Sequence, residues 1–137
     1  MEATSFFPSG PILPLPAPFE DSRGVIQTLV EGGIHSVQAI FSKIGTVRAN
    51  HYHKSDSHYM YVVSGKMKYF FRSAESQERP SWCFVNQGQL IFTPPLVEHA
   101  VEFLEDTLFL NITANSRDQT QYESDIVKVN LHKPFTP

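Results

Sequence analysis

Between Gly45 and Gly65 the chain reads GTVRANHYHKSDSHYMYVVSG, and the side chains in it that could do chemistry are imidazoles. His51 and His53 are two positions apart, so on an extended strand both rings leave the same face. His58 follows Lys54-Ser55-Asp56-Ser57, a polar segment long enough to turn the chain into a second strand from His58 to Val63. Folded as a hairpin, the two strands would bring three imidazoles to one point. Imidazole is the commonest protein ligand for zinc, iron, copper and nickel. Further on, Gly88 to Thr93 reads as an apolar strand, Pro94-Pro95 turns it, and His99 opens the next apolar run. Four of the six histidines thus fall in two short segments, which is what metal coordination requires and what scattered surface histidines would not produce.

The two segments resemble the paired motifs of the cupin family. The first motif runs G, five residues, HxH, three or four residues, E, six residues, G. Gly45, His51, His53 and Gly65 fall in register with it, and His58 stands in place of the glutamate. The second runs G, five residues, PxG, two residues, H, three residues, N. Gly88, Pro94 and His99 match, with Leu96 in place of the glycine and Phe103 in place of the asparagine. The resemblance spans about half the chain and is specific in its spacing, where an isolated HxH would not be. It implies an all-β fold, a small antiparallel β-barrel of the cupin, double-stranded β-helix or jelly-roll type, with metal ligands inside. By that resemblance the metal site is His51, His53, His58 and His99, a four-histidine variant lacking the usual carboxylate. A divalent transition metal is the expected cofactor, with Zn, Fe(II), Ni, Mn or Cu(II) in range and Mg or Ca less suited to imidazole. Four ligands leave one or two positions open on a five- or six-coordinate ion.

A shorter resemblance lies ahead of the barrel. Asp21-Ser22-Arg23-Gly24 is similar to the turn that opens the sugar-nucleotide cupins, the deoxyhexose epimerases and ketoisomerases. Those enzymes use His as base and Tyr as acid and usually need no metal. This moves the expected substrate toward carbohydrates.

The bulk composition bounds the rest. A chain of 137 residues makes one domain with a real core. Its net charge of -3, without a dense basic patch, excludes a nucleic-acid partner. Its apolar runs are far too short to span a membrane, and Met1 to Phe7 lacks the basic start and apolar run of a signal peptide. Cys83 is the single cysteine, so no intrachain disulfide forms; a reducing cytoplasm is the expected location. Eleven Phe and five Tyr suit half-buried strands and ring-binding pockets.

The elements follow from turns and alternation. Residues 1–20 form a proline-rich arm, with PSGPILPLPAPF unable to be helix or central strand. Residues 21–130 form the barrel and 131–137 a tail. Strands are expected over Val25 to Val30, Ile34 to Ser42, Val47 to His53, Ser57 to Ser64, Lys66 to Arg72, Trp82 to Val85, Gln89 to Thr93, His99 to Leu104, Thr107 to Ala114 and Ile126 to Asn130. The last of these is expected to return along the arm, and Gln119 to Ser124 is the one stretch that could make a helical turn. If His58 points inward, so do Met60 and Val62, leaving Tyr59, Tyr61 and Val63 outside. An outer face that aromatic needs a cover, and a homodimer supplies it.

Residues around the histidines are assigned plainly where the pattern allows. Glu98, beside His99, and Tyr69 are the candidate catalytic residues, although alternation sends Glu98 outward and Tyr69 with Phe71 is expected to fill the core. Asp56 reads as a turn residue. Arg48 and Asn50, out of phase with His51, are expected to point away from the metal. Gln38 and Arg23 are candidate contacts for an anionic substrate. His35, on the apolar face of its strand, reads as a core histidine, and His132 as a solvated one. The expected function is a metal-dependent enzyme acting on a small oxygenated molecule, a sugar or a cyclic polyketide-like compound, by isomerisation, epimerisation or cyclisation. An Fe(II) dioxygenase and a non-enzymatic metal- or ligand-binding module are the alternatives.

Overall fold

Alternating sequences over Val47–His53 and His58–Ser64 are met by strands over those same residues. The computed structural model describes residues 10–133. In chain order the strands are β1 (Ile12–Leu13), β2 (Phe19–Asp21), β3 (Gly24–Ile26), β4 (Ser36–Ser42) and β5 (Val47–His53). Next come β6 (His58–Ser64), β7 (Lys66–Ser73), β8 (Ser81–Asn86), β9 (Leu90–Thr93), β10 (Val97–Phe103) and β11 (Thr107–Thr113). A helix, α1 (Gln119–Asp125), and a final strand, β12 (Ile126–Lys128), complete the described chain.

The strands form two five-stranded antiparallel sheets, ordered β1-β9-β6-β11-β4 and β12-β5-β10-β7-β8, with β2-β3 a separate two-stranded ribbon. This is the expected all-β architecture, with one correction. β5 and β6 do not make a histidine hairpin: β5 pairs with β10 and β12, and β6 pairs with β11 and β9. The polar segment 54–57 carries the chain from one sheet to the other, so the histidines face each other across the sandwich. Local alternation is the same for a hairpin and for a crossing between sheets, so the sequence does not separate them.

Between the sheets lies the core. Val62, Met67, Val85 and Phe103 are fully buried there, with Phe71 and Phe109 beside them. Each side chain of that size contributes about 1.5–3 kcal/mol when taken from water. The inward phase of β6 is as expected, with His58, Met60 and Val62 buried and Tyr59 and Tyr61 half-buried. Two turns have tight steric requirements. Gly65, at φ 103°, passes so close to Thr107 and the Asp106 carbonyl that an added Cβ would collide with both. Leu96 sits at φ 63°, in the left-handed region that the cupin-pattern glycine accommodates more easily. Its N–H donates to His53 O at 2.8 Å and its carbonyl accepts from Ala74 N at 3.0 Å, two bonds that hold it there.

The ends of the chain depart from expectation. Residues 1–9 of the arm and 134–137 of the tail lie outside the described residues. Within the described part, β1 adds to the edge of β9. β12 pairs with β5 and not with the described part of the arm. The expected strand over Val25 to Val30 is shorter and closes a hairpin with β2. His35 is exposed, because β4 turns Gln38 and Ile40 inward and leaves Val37 and Phe41 outside. His132 is tied down: its Nε2–H donates to Glu102 Oε1 at 2.6 Å and its ring stacks on Phe70 at 4.0 Å.

Candidate functional site

His51 and His53 of β5, His58 of β6 and His99 of β10 converge between the sheets, and all four are buried. Strand pairing explains how: His99 sits directly opposite His51 in the β5–β10 ladder. Ring centroids lie 4.8 Å apart for His51–His53 and His51–His99, 5.2 Å for His53–His58 and 5.1 Å for His58–His99. One ligand nitrogen each from His51, His53 and His99 falls within 4.8 Å of the other two. His58 stands outside that trio, although its Nε2 is 3.3 Å from His99 Nε2.

The far nitrogens of two rings are anchored. His53 Nδ1 lies 3.0 Å from Asp125 Oδ2, and His99 Nδ1 lies 3.0 Å from the Val97 carbonyl. A ring so held keeps its Nε2 turned toward the cluster with a lone pair available. His53 Nε2 is buried with no hydrogen-bond partner among the described residues, as is His58 Nδ1. Such a set of inward-facing imidazole nitrogens fits a divalent transition ion. A second grouping, His53 with Asp56 and Asp125, also has ligating distances. Its carboxylates are already committed, however. Asp125 accepts from Ser55 N and Oγ at 2.8 Å each and from Asp56 N at 3.2 Å. Asp56 accepts from Asn115 N and pairs with Arg117.

The cluster forms one wall of a cavity of about 290 Å³ that also takes in Gln38, Arg48, Asn111, Arg117, Gln119 and Tyr122. Arg48 is there against the expectation from alternation. Between His51 and Ala49 the register of β5 against β10 shifts, and Asn50 is the extra residue. Ala49 and Asn50 both take positive φ, 71° and 56°. Such a bulge reverses the phase of the strand beyond it and turns Arg48 inward. Its Nε donates to Ser42 Oγ at 2.7 Å. Asn50 points away, as expected, and clamps the tail: its Nδ2 donates to His132 O and its Oδ1 accepts from His132 N. Gln38 reaches the cavity, hydrogen-bonded by Asn111. Arg23 pairs with Asp21 on the exposed β2–β3 hairpin, away from the cavity wall.

Neither candidate catalytic residue faces the cavity. Glu98 is buried on the other side of β10 and accepts from Arg72 Nη2 at 2.8 Å. Tyr69 is fully buried with its hydroxyl 2.6 Å from Thr93 Oγ1, and burial pushes its pKa up. Asp56 is more than a turn residue: it is buried and paired with Arg117 Nη2 at 3.2 Å, and desolvation raises its pKa. Sequence reasoning missed Arg117, Tyr122 and Asp125. The helix QTQYESD has no apolar face and no side-chain N-cap bond, so periodicity gives no signal for it. Asp125 lies 72 positions from the histidine it holds.

Burial sets the protonation of the site. Desolvation lowers His51 and His99 to about 3 and His53 to about 4, and takes His58 well below its ordinary value. Burial alone would raise Asp125, but the hydrogen bonds from Ser55, His53 and Asp56 outweigh it and hold the carboxyl below its usual range. The imidazoles are therefore neutral at pH 7, the form that ligates a metal or accepts a proton. In the unfolded chain the same rings protonate near pH 6.5. Their folded pKa values are depressed, so their contribution to stability is whole above that pH and is lost as pH falls toward 4. Metal-free protein should lose stability across that window, by up to about 1.4 kcal/mol per pH unit for each ring. Urea unfolding at pH 7, 6, 5 and 4 measures this, and a flat profile would show that the rings are solvated.

No family model matches the sequence, and no curated protein sequence matches it. Solved structures do. QdtA, a 3,4-ketoisomerase from Thermoanaerobacterium thermosaccharolyticum in complex with TDP, is 21% identical with a TM-score of 0.65 over 82% of each chain. ChmJ, a 3'-monoepimerase from Streptomyces bikiniensis in complex with dTDP-quinovose, is 14% identical with a TM-score of 0.70 over 85% of this chain and 68% of its own. The capsular polysaccharide assembling protein CapF from Staphylococcus aureus is 23% identical with a TM-score of 0.62, over 85% of this chain and 34% of its own. At these identities the likeness is one of fold: the chain shares the antiparallel jelly-roll architecture of these structures.

Proposed function

We propose that this chain is an isomerase or epimerase that moves a proton beside a carbonyl group of a sugar, at a metal-assisted histidine site. The observation that carries the reading is the trio of ligand nitrogens within 4.8 Å, from His51, His53 and His99, on the wall of the cavity. The fold it shares with a 3,4-ketoisomerase and a 3'-monoepimerase supports the sugar. Gln38, Asn111 and Gln119 offer amides to hydroxyl groups.

In this reading His51, His53 and His99 hold a divalent transition metal, and Asp125 and the Val97 carbonyl orient two of them. Bound there, such an ion supplies Lewis acidity toward a carbonyl oxygen. His58, neutral and facing the cavity from the opposite sheet, takes the proton from the neighbouring carbon. Tyr122, whose ring lies 6.2 Å from His51 and 6.3 Å from His53, is the hydroxyl at hand to return one. All four rings are buried between the two sheets. The trio favours a rival more than four ligands would: an Fe(II) dioxygenase needs open positions for substrate and O₂, and three imidazoles leave them.

The assembly in this reading is a homodimer through the outer face of the β1-β9-β6-β11-β4 sheet. Val37, Phe41 and Val63 are exposed there, beside half-buried Tyr59 and Tyr61. A contiguous apolar face of this kind is covered in water by a partner, and a second copy offers the matching surface. Among the described residues no helix is long and apolar enough to cross a membrane.

Two measurements follow. Elemental analysis of protein purified without chelator should give about one transition ion per chain. His51→Ala or His99→Ala should abolish it. His58→Ala should keep the metal and lose at least a hundredfold in deuterium exchange from D₂O into TDP-4-keto-6-deoxyglucose, followed by NMR. Loss of metal in His58→Ala would restore the four-ligand site; iron with substrate-dependent oxygen uptake would establish the dioxygenase. Sedimentation equilibrium should give about twice 15.5 kDa, and Phe41→Asp should shift it toward one; a monomeric wild type would refute the dimer.

A further inference from the structure

We propose that Arg117 is the anion anchor of the cavity, binding a negatively charged oxygen group of the substrate beside the histidines. This rests on the cavity being a substrate site and narrows the substrate to an acidic one.

The charge census of the cavity is one-sided. Arg48 and Arg117 are the residues of permanent charge in its wall, and no carboxylate is among them. The two acids nearest the histidines stand behind the wall. Asp125 is occupied by His53 and the 55–56 turn, and Asp56 lies behind Arg117. Any divalent ion held by the histidines adds to this positive surface, so a substrate that brings negative charge is the complementary one.

Arg117 is also built into its place. It sits in the segment between β11 and α1, with its side chain 9% exposed. Its Nη2 lies 3.2 Å from Asp56 Oδ2, a contact that pairs charges without hydrogen-bond geometry, and Nε and Nη2 both lack an acceptor among the described residues. The guanidinium is stacked over the Tyr122 ring at 5.0 Å. Asp56 is itself fixed by the Asn115 N–H at 2.9 Å. A purely structural arginine this buried would be expected to have its donors met. This one is charge-paired on one side and stacked on another, with Nε and Nη2 still lacking a hydrogen bond among the described residues, the state of a group that completes its bonding with a ligand. Planar guanidinium suits carboxylate and phosphate oxygens alike.

The shared ligand chemistry is an oxyanion, which a sugar acid supplies as carboxylate and a phosphorylated or nucleotide-linked sugar as phosphate. Calorimetric titration of the metal-loaded protein with D-glucuronate, with glucose 1-phosphate and with glucose separates them. At least one charged probe should bind ten times more tightly than glucose, and which one does so identifies the source. Arg117→Gln should remove that preference by tenfold or more while leaving glucose binding unchanged. Arg117→Lys should recover part of it. Because Arg117→Gln leaves Asp56 unpaired, the double variant Arg117→Gln/Asp56→Asn removes both charges and keeps a folded comparison. Wild-type affinity for the charged probe in that double variant would overturn the proposal, as would equal binding of charged and neutral probes by the wild type. No turnover enters these titrations. Arg117-dependent binding without isomerase activity would remove the proposed reaction and keep the anchor; turnover indifferent to Arg117 would do the reverse.

Discussion

One carboxylate holds the site together. Asp125 ends α1 and accepts hydrogen bonds from Ser55 N, Ser55 Oγ, Asp56 N and His53 Nδ1. Those bonds close the segment that carries the chain from β5 to β6, and in the same place they fix which way His53 faces. They also fasten the helix that brings Gln119 and Tyr122 to the cavity wall. Without Asp125 the crossing between sheets would have unpaired backbone donors, and His53 would be free to rotate.

Burial then does the chemical tuning. Imidazoles whose neighbouring ring centroids lie 4.8–5.6 Å apart could not all be protonated, and desolvation is the largest cause that drives them neutral. A solvated cluster would compete with protons for any ion; this one does not at neutral pH. The positive charge that remains in the cavity comes from Arg48 and Arg117. The site therefore combines neutral ligands with fixed cations, a combination suited to a substrate that develops or carries negative charge.

Much of this was legible in the sequence where it depended on short-range spacing. The i, i+2 placement of His51 and His53, the inward phase of His58, Met60 and Val62, and the second histidine segment at His99 all follow from strand alternation. What was hidden depended on long-range pairing or on a break in alternation. The phase reversal that delivers Arg48 comes from left-handed backbone at Ala49 and Asn50, and no glycine marks it. The side on which β6 pairs is decided by β9 and β11, far along the chain. Arg117, Tyr122 and Asp125 belong to a polar segment without periodicity, so their part in the site exists in the fold and not in any local pattern.

The central claim is that one ion is bound by imidazoles from β5 and β10. X-ray absorption at the metal edge of the loaded protein tests it most directly. The account predicts a first shell of at least three imidazole nitrogens at about 2.0–2.1 Å, with the outer-ring scattering that imidazole produces. A shell dominated by carboxylate oxygen, as the His53, Asp56 and Asp125 grouping would give, would contradict it.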